Sequence, residues 1–438
     1  MKTPSIQQLS PHDREAAQFA ARTLQEHGFR AWIVGGGVRD LALGITPKDI
    51  DLATDALPGQ VEEIFDRTIP VGKAFGTIVA LIEVGGAEPV TMQLEVTTLR
   101  RDGDYSDGRR PDVVLYGTSM DEDAQRRDFT CNALYLDPLT DEISDVVGGL
   151  GDLENGVLRT VGDPVGRFRE DGLRLLRMAR FAAAYGLEIE GDTWAGARDS
   201  LDALVGISRE RVLAELSGIA IRPNPYRAVQ LLGESGVLER ILPGLEGLRS
   251  NAEQAGAGVQ GGGVEARLTL IRNLGDAPGV VPFLAALLSP RDDQMVELLA
   301  SLRPSRATSD GVKAIWAAVH CLQKLSELGT IDGSAWRDRA ALIELARTPA
   351  FGQGLNHLRG SEPGVDSIAR LGALEDRAVA LTPGELNPEP FLSSKDLGAS
   401  SIPRGPRWGE LLREAQLRQL GGAIQDRVAA LDWLAKQA

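Results

Sequence analysis

Apolar positions recur at helical spacing over residues 14–27, and Gly28 ends the run, which predicts a first helix. Five short strand-like runs follow, at residues 31–34, 50–53, 76–84, 90–99 and 132–136. The middle of the third, TIVALI at 77–82, is almost continuously apolar, as in a central strand. A short helix is expected over DALPGQVEEIF, between the second and third runs. After about residue 150 strand signals fade and Ala/Leu/Arg-rich segments of helical period dominate. The expectation is an α+β chain: a mixed-sheet head over 1–150, then an all-α neck (151–221), body (222–383) and tail (384–438). The boundary falls near 149–156. Residues 163–221 read as a helical block with two Arg-rich helices. Gly/Ala-rich residues 251–263 read as a flexible connection and 348–364 as a loop. No repeat of fixed period is visible.

Composition narrows the class. The 438 residues are 43% hydrophobic and 25% charged, ordinary globular usage for a chain of two to four domains. No apolar run approaches a membrane span, and the N-terminus lacks an apolar signal core, so no membrane and a cytoplasmic location are expected. Two cysteines, Cys131 and Cys321, make neither a disulfide framework nor a thiolate metal cluster. The net charge of -15 excludes a non-specific DNA coat, so no DNA partner is expected. It leaves room for a local basic strip on a nucleic-acid enzyme.

The chemistry is concentrated in the first half. Val34-Gly35-Gly36-Gly37-Val38-Arg39-Asp40 places three glycines after a strand, where backbone N–H groups can approach an anion closely. Arg39 offers a fork that could grip phosphate, and no GK[ST] closes the turn as in a Walker loop. Asp49 and Asp51, two apart on a strand, share a face at roughly 6–7 Å and repel unless a cation lies between them. Mg²⁺ prefers one or two carboxylates plus phosphate oxygens. Glu95 alternates with apolar neighbours in MQLEVT. If its strand lies beside the aspartates, three acids converge in a two-metal phosphoryl-transfer centre. Taken singly, each feature also occurs in plain turns and solvated faces.

Farther on, Asp171, Arg174, Arg177 and Arg180 recur every three residues, on one helix face. Asp171 accepts hydrogen bonds and Arg174 donates them, so the two could pair with the edge of cytosine or adenine. Arg177 and Arg180 would face the triphosphate or support that pair. Residues 167–180 hold five Arg against Glu170 and Asp171, a local basic strip. The histidines are sparse. His12-Asp13 forms an HD doublet with no metal-spaced partners, which speaks against a metal phosphohydrolase; His320 reads as core or rim.

In this order, the motifs resemble those of class II tRNA nucleotidyltransferases (CCA-adding enzymes) and bacterial poly(A) polymerases, within the polymerase β-like nucleotidyltransferases. GGGVRD with DID resembles the first motif, and LEVTTLRRDGDYSDGRRPDVV the third-carboxylate strand and the flexible loop after it. Arg126-Arg127-Asp128-Phe129-Thr130-Cys131-Asn132-Ala133 resembles the RRDFTxNA motif, Glu170-Asp171 with Arg174 the EDxxR nucleobase motif, and Ser208-Arg209-Glu210-Arg211 with Glu215-Leu216 the last neck motif. The resemblance is specific over about residues 30–216. Gly172 stands where Pro or Ala is commoner, which implies a looser start to the base-reading helix. Cys131 replaces an aliphatic residue and reads as a buried strand position.

The resemblance implies template-independent addition of nucleotides from CTP and ATP to the tRNA acceptor arm, with release of pyrophosphate. Asp49 and Asp51 would bind two Mg²⁺ ions, with Glu95 completing the centre. Gly35, Gly36 and Arg39 would hold triphosphate; Arg126, Arg127 and Asp128 would orient the sugar and the neck; Asp171 and Arg174 would read the base. Loop 100–111 would help the site change from C to A. Full CCA addition is the first expectation, terminal-A addition in a split system the second, poly(A) synthesis the third, and a silent RNA-binding module the last.

Overall fold

The computed structural model describes residues 3–437, except 73–74, 87, 104–112, 118, 244, 246–261, 290–292, 328–335 and 362–364. The chain folds as two compact units, Met1–Glu253 and Gln254–Ala438.

The first unit begins with helix α1 (Pro11–Glu26), three residues earlier than its apolar period suggests. Ser10 explains the difference: its hydroxyl accepts from the Asp13 N–H, and Pro11 follows at the first helical position. Next come β1 (Ala31–Val34), α2 (Gly36–Ala42), β2 (Asp51–Thr54), α3 (Pro58–Ile64), β3 (Thr68–Gly72), β4 (Thr77–Val84) and β5 (Val90–Thr98). A hairpin of β6 (Arg100–Asp102) and β7 (Val114–Tyr116) precedes α4 (Met120–Gln125), β8 (Leu134–Leu136) and β9 (Ile143–Asp145). Seven of these strands form one mixed sheet in the order β3-β4-β5-β2-β1-β8-β9. Strands β1 and β2 are antiparallel, and β2 and β5 are parallel. Ile33, Leu52, Ile78 and Val96 are fully buried within it, and α1 packs on β1, β4 and β5.

All five anticipated strands are present, and the short helix lies at α3. Strands β3, β6, β7 and β9 lack a period in the sequence because each is short and much of its surface is open to solvent. The fifth strand starts at Leu134 rather than 132, because Thr130–Asn132 forms a 3₁₀ turn; Cys131 is buried in that turn and not on a strand. Loop residues 104–112 and the Gly/Ala-rich stretch 251–261 lie outside the described residues, and what is seen of the loop is its β6–β7 stem.

Helix α5 (Gly149–Glu154) leads out of the sheet, followed by α6 (Pro164–Glu170), α7 (Leu173–Tyr185), α8 (Gly191–Arg198), α9 (Arg209–Ala220), α10 (Pro225–Ser235) and α11 (Val237–Ile241). Two short strands, Val157–Leu158 and Glu188–Ile189, pair in parallel between them; at two residues each they are too short to show a period in the sequence. Helix α7 packs against both α9 and α10.

The second unit is helical throughout its described residues, from Gly262–Leu274 to Arg427–Ala435. One cluster gathers Leu322, Leu342, Leu355, Leu358, Leu371 and Leu374; another gathers Leu397, Ile402, Leu411 and Ile424. The expected loop 348–364 is mostly helix where it is described: Ala350–Ser361 is a helix whose Leu355 and Leu358 belong to the first cluster, a face that glycines 352, 354 and 360 dilute in the sequence, and residues 362–364 lie outside the described residues. His320 is exposed, and the buried histidine is His357, held by Ser289 at 2.9 Å. Among the described residues no helix is long and apolar enough to cross a membrane.

Gly172 corrects a second expectation. Helix α6 ends at Glu170, Asp171 is extended, and α7 starts at Leu173. Asp171 is therefore not on the helix of Arg174, Arg177 and Arg180; it caps the junction, accepting from the Leu173 N–H at 3.1 Å. A Cβ at position 172 would lie 2.1 Å from the Ala203 carbonyl oxygen. The glycine tightens the junction rather than loosening it. Gly172→Ala must push two backbones apart and is expected to cost about 1–3 kcal/mol, read as a lower urea midpoint at unchanged m-value.

Candidate active site

Strand register assembles the acids. Asp51 opens β2 and stands level with Glu95 on β5 on one side and with Val34 on β1 on the other. Asp49 lies just before β2, not on it, yet lines the same slot as Asp51 and Glu95. The slot is about 250 Å³ and also takes in Lys48, Gln93 and, from α1, Asp13. The three site acids are exposed, and their carboxylates make no ion pair or hydrogen bond with a described residue. Asp51 is pushed up to about 6, first by desolvation within the slot, then by Glu95 and Asp49, against the pull of Arg127.

This geometry corrects the picture of a closed three-acid cage. Among the described residues, no set of three His, Cys, Asp or Glu side chains lies close enough to hold a metal ion by itself. Like charges with nothing between them stay apart. The donors still fit a hard divalent ion shared with a nucleotide, which needs only one or two carboxylates and takes its other ligands from phosphate and water. The His12-Asp13 doublet forms the first turn of α1, where Asp13 accepts from the Ser10 hydroxyl at 2.6 Å.

The glycine turn lies beside Asp51, at the end of β1. Gly35 has φ +66° and ψ -125°, and a Cβ there would lie 3.2 Å from Arg127 Nη1. Gly37 rests on Ile33, and Gly36 adjoins the Arg39 guanidinium. Arg39, expected to project toward phosphate, is instead buried. It donates to Asp40 at 2.7 Å, to Asn132 Oδ1 at 2.6 Å and to the Tyr185 hydroxyl, with its guanidinium 4.2 Å from the Tyr185 ring centroid. It ties the turn to α7.

The remaining arginines are similarly engaged. Arg126 and Arg127 both bind Asp123, at 2.8 and 3.0 Å, and Tyr135 donates to the same carboxylate at 2.7 Å. Burial works against the charge of Asp123, but the two guanidiniums hold it at about 2. Asp128 takes Arg177 at 2.6 Å and Asn132 Nδ2 at 3.0 Å. Glu215 takes Arg180 at 2.7 Å and stands 3.8 Å from Arg177. Arg177 and Arg180 thus support the neck rather than facing an open pocket. Such buried ion pairs are costly to half-remove, by about 3–5 kcal/mol.

Asp171 and Arg174 keep capacity to spare. Arg174 donates to Glu170, to the Arg167 carbonyl at 2.7 Å and to the Arg126 carbonyl at 3.1 Å, which uses three of its five N–H groups. Asp171 accepts from Leu173 and from Arg211 at 2.7 Å, which leaves lone pairs open. Asn132 lies in the RRDFTxNA stretch, whereas Asp123, Tyr135 and Tyr185 carry no signal of their own in the sequence: each is an ordinary residue type, and the partner of Tyr185, Arg39, is 146 positions away.

The shift on Asp51 has a sign. A carboxyl raised from 3.8 to about 6 favours the fold below pH 4, and that advantage is lost as pH rises through 6. Asp51→Asn is expected to match the parent's stability at pH 3.5. At pH 8 it should exceed it by about 1 kcal/mol, the full linkage being screened by solvent. Urea unfolding at the two pH values checks this.

Residues 31–159 match the family model described as the Poly A polymerase head domain, and residues 186–248 the model described as a probable RNA and SrmB-binding site of polymerase A. A CCA-adding enzyme of Bacillus pumilus is 42% identical over 224 residues, 51% of this chain and 54% of that protein. That of Geobacillus thermodenitrificans is 44% identical over 224 residues, 51% and 53%. The chain thus spans about half the length of these two relatives. The CCA-adding enzyme of Lactobacillus johnsonii is 32% identical over 421 residues, 95% of both proteins. The solved structure of the Bacillus stearothermophilus CCA-adding enzyme in complex with CTP superposes with a TM-score of 0.73 at 27% identity, covering 98% of each chain. With likeness running nearly end to end in both sequence and fold, the chain belongs to the family of CCA-adding enzymes and poly(A) polymerases.

Proposed function

We propose that this protein is a tRNA nucleotidyltransferase that adds CCA to tRNA 3′ ends from CTP and ATP, without a nucleic-acid template. The observation that carries the reading is the slot of Asp49, Asp51 and Glu95, acids that form no ion pair with a described residue, beside a glycine turn. Structural acids on a sheet are ordinarily paired or fully solvated, whereas here desolvation in the slot, and then Glu95 and Asp49, raise Asp51. The relatives' names and the CTP complex of the Bacillus stearothermophilus enzyme support the choice of substrates.

The family generally uses a divalent metal, and we assign it here as Mg²⁺, in a two-metal centre held by Asp49 and Asp51 with Glu95 completing it. When bound, such ions polarise the phosphate and lower the pKa of the attacking hydroxyl. The backbone of Gly35 and Gly36 receives the triphosphate. Arg127, directly beneath Gly35, offsets its charge, while Arg39 holds the turn in place. Arg126 and Asp128 fix the sugar side and the neck. Asp171 accepts from the exocyclic amino group of cytosine or adenine, and the spare N–H groups of Arg174 donate to the ring nitrogen. Arg177, locked by Asp128, ties α7 to the head, and Arg180, locked by Glu215, ties it to α9.

In this reading the head is residues 1–150 and the neck 151–221, while the body (222–383) and tail (384–438) hold the acceptor arm by backbone and shape. The reaction belongs in the cytoplasm, where tRNA and both nucleotides meet. Terminal-A addition in a split system is the second reading, because the motifs quoted for CCA addition serve it equally.

Three tRNAs, ending before CCA, after CC and after CCA, each given CTP, ATP or both, test the product. CCA addition predicts extension of the first two and none of the third. Extension of the second alone would assign terminal-A addition, and long A tails on the third a poly(A) polymerase. Asp49→Ala or Asp51→Ala should lower incorporation at least ~10³-fold while tRNA still binds; near-normal turnover in the double variant would refute the acid assignment. Arg174→Ala should blur the choice among four NTPs, and unchanged selectivity would remove it from base reading.

A further inference from the structure

Lys48 lines the slot of Asp49, Asp51 and Glu95. It is exposed, and it makes no ion pair or hydrogen bond with a described residue, although the three site acids and Asp13 share its slot. A lysine present to neutralise those acids would close on one of them. This one stays exposed and unpaired.

The sheet order says what meets it there. Strand β2 lies between β1 and β5, and Asp51 is level with Val34 on one side and Glu95 on the other. The glycine turn continues from β1. The slot that Lys48 lines takes in Met92, Gln93 and Glu95 of β5, on the other side of β2, and no residue of that turn. Phosphoryl transfer is in line, so attacking and leaving oxygens lie on opposite sides of the α-phosphorus. With the triphosphate at the glycine turn, pyrophosphate departs on the β1 side and the attacking hydroxyl arrives on the β5 side.

From this we infer that Lys48 binds the RNA: its ammonium pairs with the phosphodiester next to the attacking 3′-hydroxyl. The chemistry is consistent. An RNA end brought to three carboxylates meets like-charge repulsion, and one unpaired cation at the approach offsets part of it. The inference rests on the function proposed above.

The experiment compares the parent with Lys48→Ala and Lys48→Arg in steady-state incorporation into tRNA ending before CCA. The tRNA is varied at saturating CTP and ATP, and each nucleotide is varied at saturating tRNA. Lys48 is exposed and bonded to no described residue, so the three proteins fold alike. Lys48→Ala should raise KM for tRNA about 5- to 10-fold and leave KM for CTP and ATP unchanged, and Lys48→Arg should recover most of the loss. The log–log salt dependence of tRNA binding should become shallower by about 0.7, one phosphate contact. A rise in nucleotide KM with tRNA KM unchanged would place the lysine on the triphosphate and overturn the inference, as would no change in either. Failure of the parent itself to incorporate nucleotide would instead overturn the reading of function, and this inference with it.

Discussion

Two opposite treatments of charge organise this molecule. Where β2 and β5 lie side by side, Asp49, Asp51 and Glu95 make no ion pair with a described residue, and desolvation in their slot, followed by their mutual repulsion, raises Asp51. Behind them, at the junction of sheet and helices, Arg39, Arg127, Arg174, Arg177 and Arg180 are buried or half-buried and matched by Asp40, Asp123, Glu170, Asp128 and Glu215. A chain could not bury so many guanidiniums without those partners, since an unpaired buried charge costs several kcal/mol. The acids in front are unfavourable for folding alone. That imbalance is what makes them a site.

The paired arginines give the site its rigidity. Arg39 connects the helix after the glycine turn to Asn132 and to Tyr185 at the end of α7. Asp128 binds Asn132 and Arg177 together. One connected network therefore runs from the turn, through the 3₁₀ turn at 130–132, to the helix carrying Arg174. Fixed partners hold Asp171 and Arg174 in one orientation, which the proposed reading of base edges would require.

Small residues set the distances. Gly35 lets the chain turn directly over Arg127, and Gly172 lets the α6–α7 junction touch the Ala203 carbonyl. Judged from helix propensity alone, Gly172 is a weakness, because propensity reports only the local backbone and not what packs against it.

The sequence by itself determined the five principal strands and the inventory of candidate groups. The five strands, the glycine turn, the acids at 49, 51 and 95 and the Arg-rich helix all follow from local period and residue type, which depend on a few neighbouring positions. Tertiary structure decided what each group is free to do. Arg39 looks like a phosphate ligand until Asn132, 93 positions away, is seen to hold it; Arg177 looks like a free cation until Asp128 is seen beneath it. The acids look like a ready-made ion cage, yet among the described residues no three such side chains lie close enough to hold a metal ion by themselves. Ion pairs and close backbone approaches are formed between residues far apart in the chain, and no local pattern of apolar and polar positions encodes them.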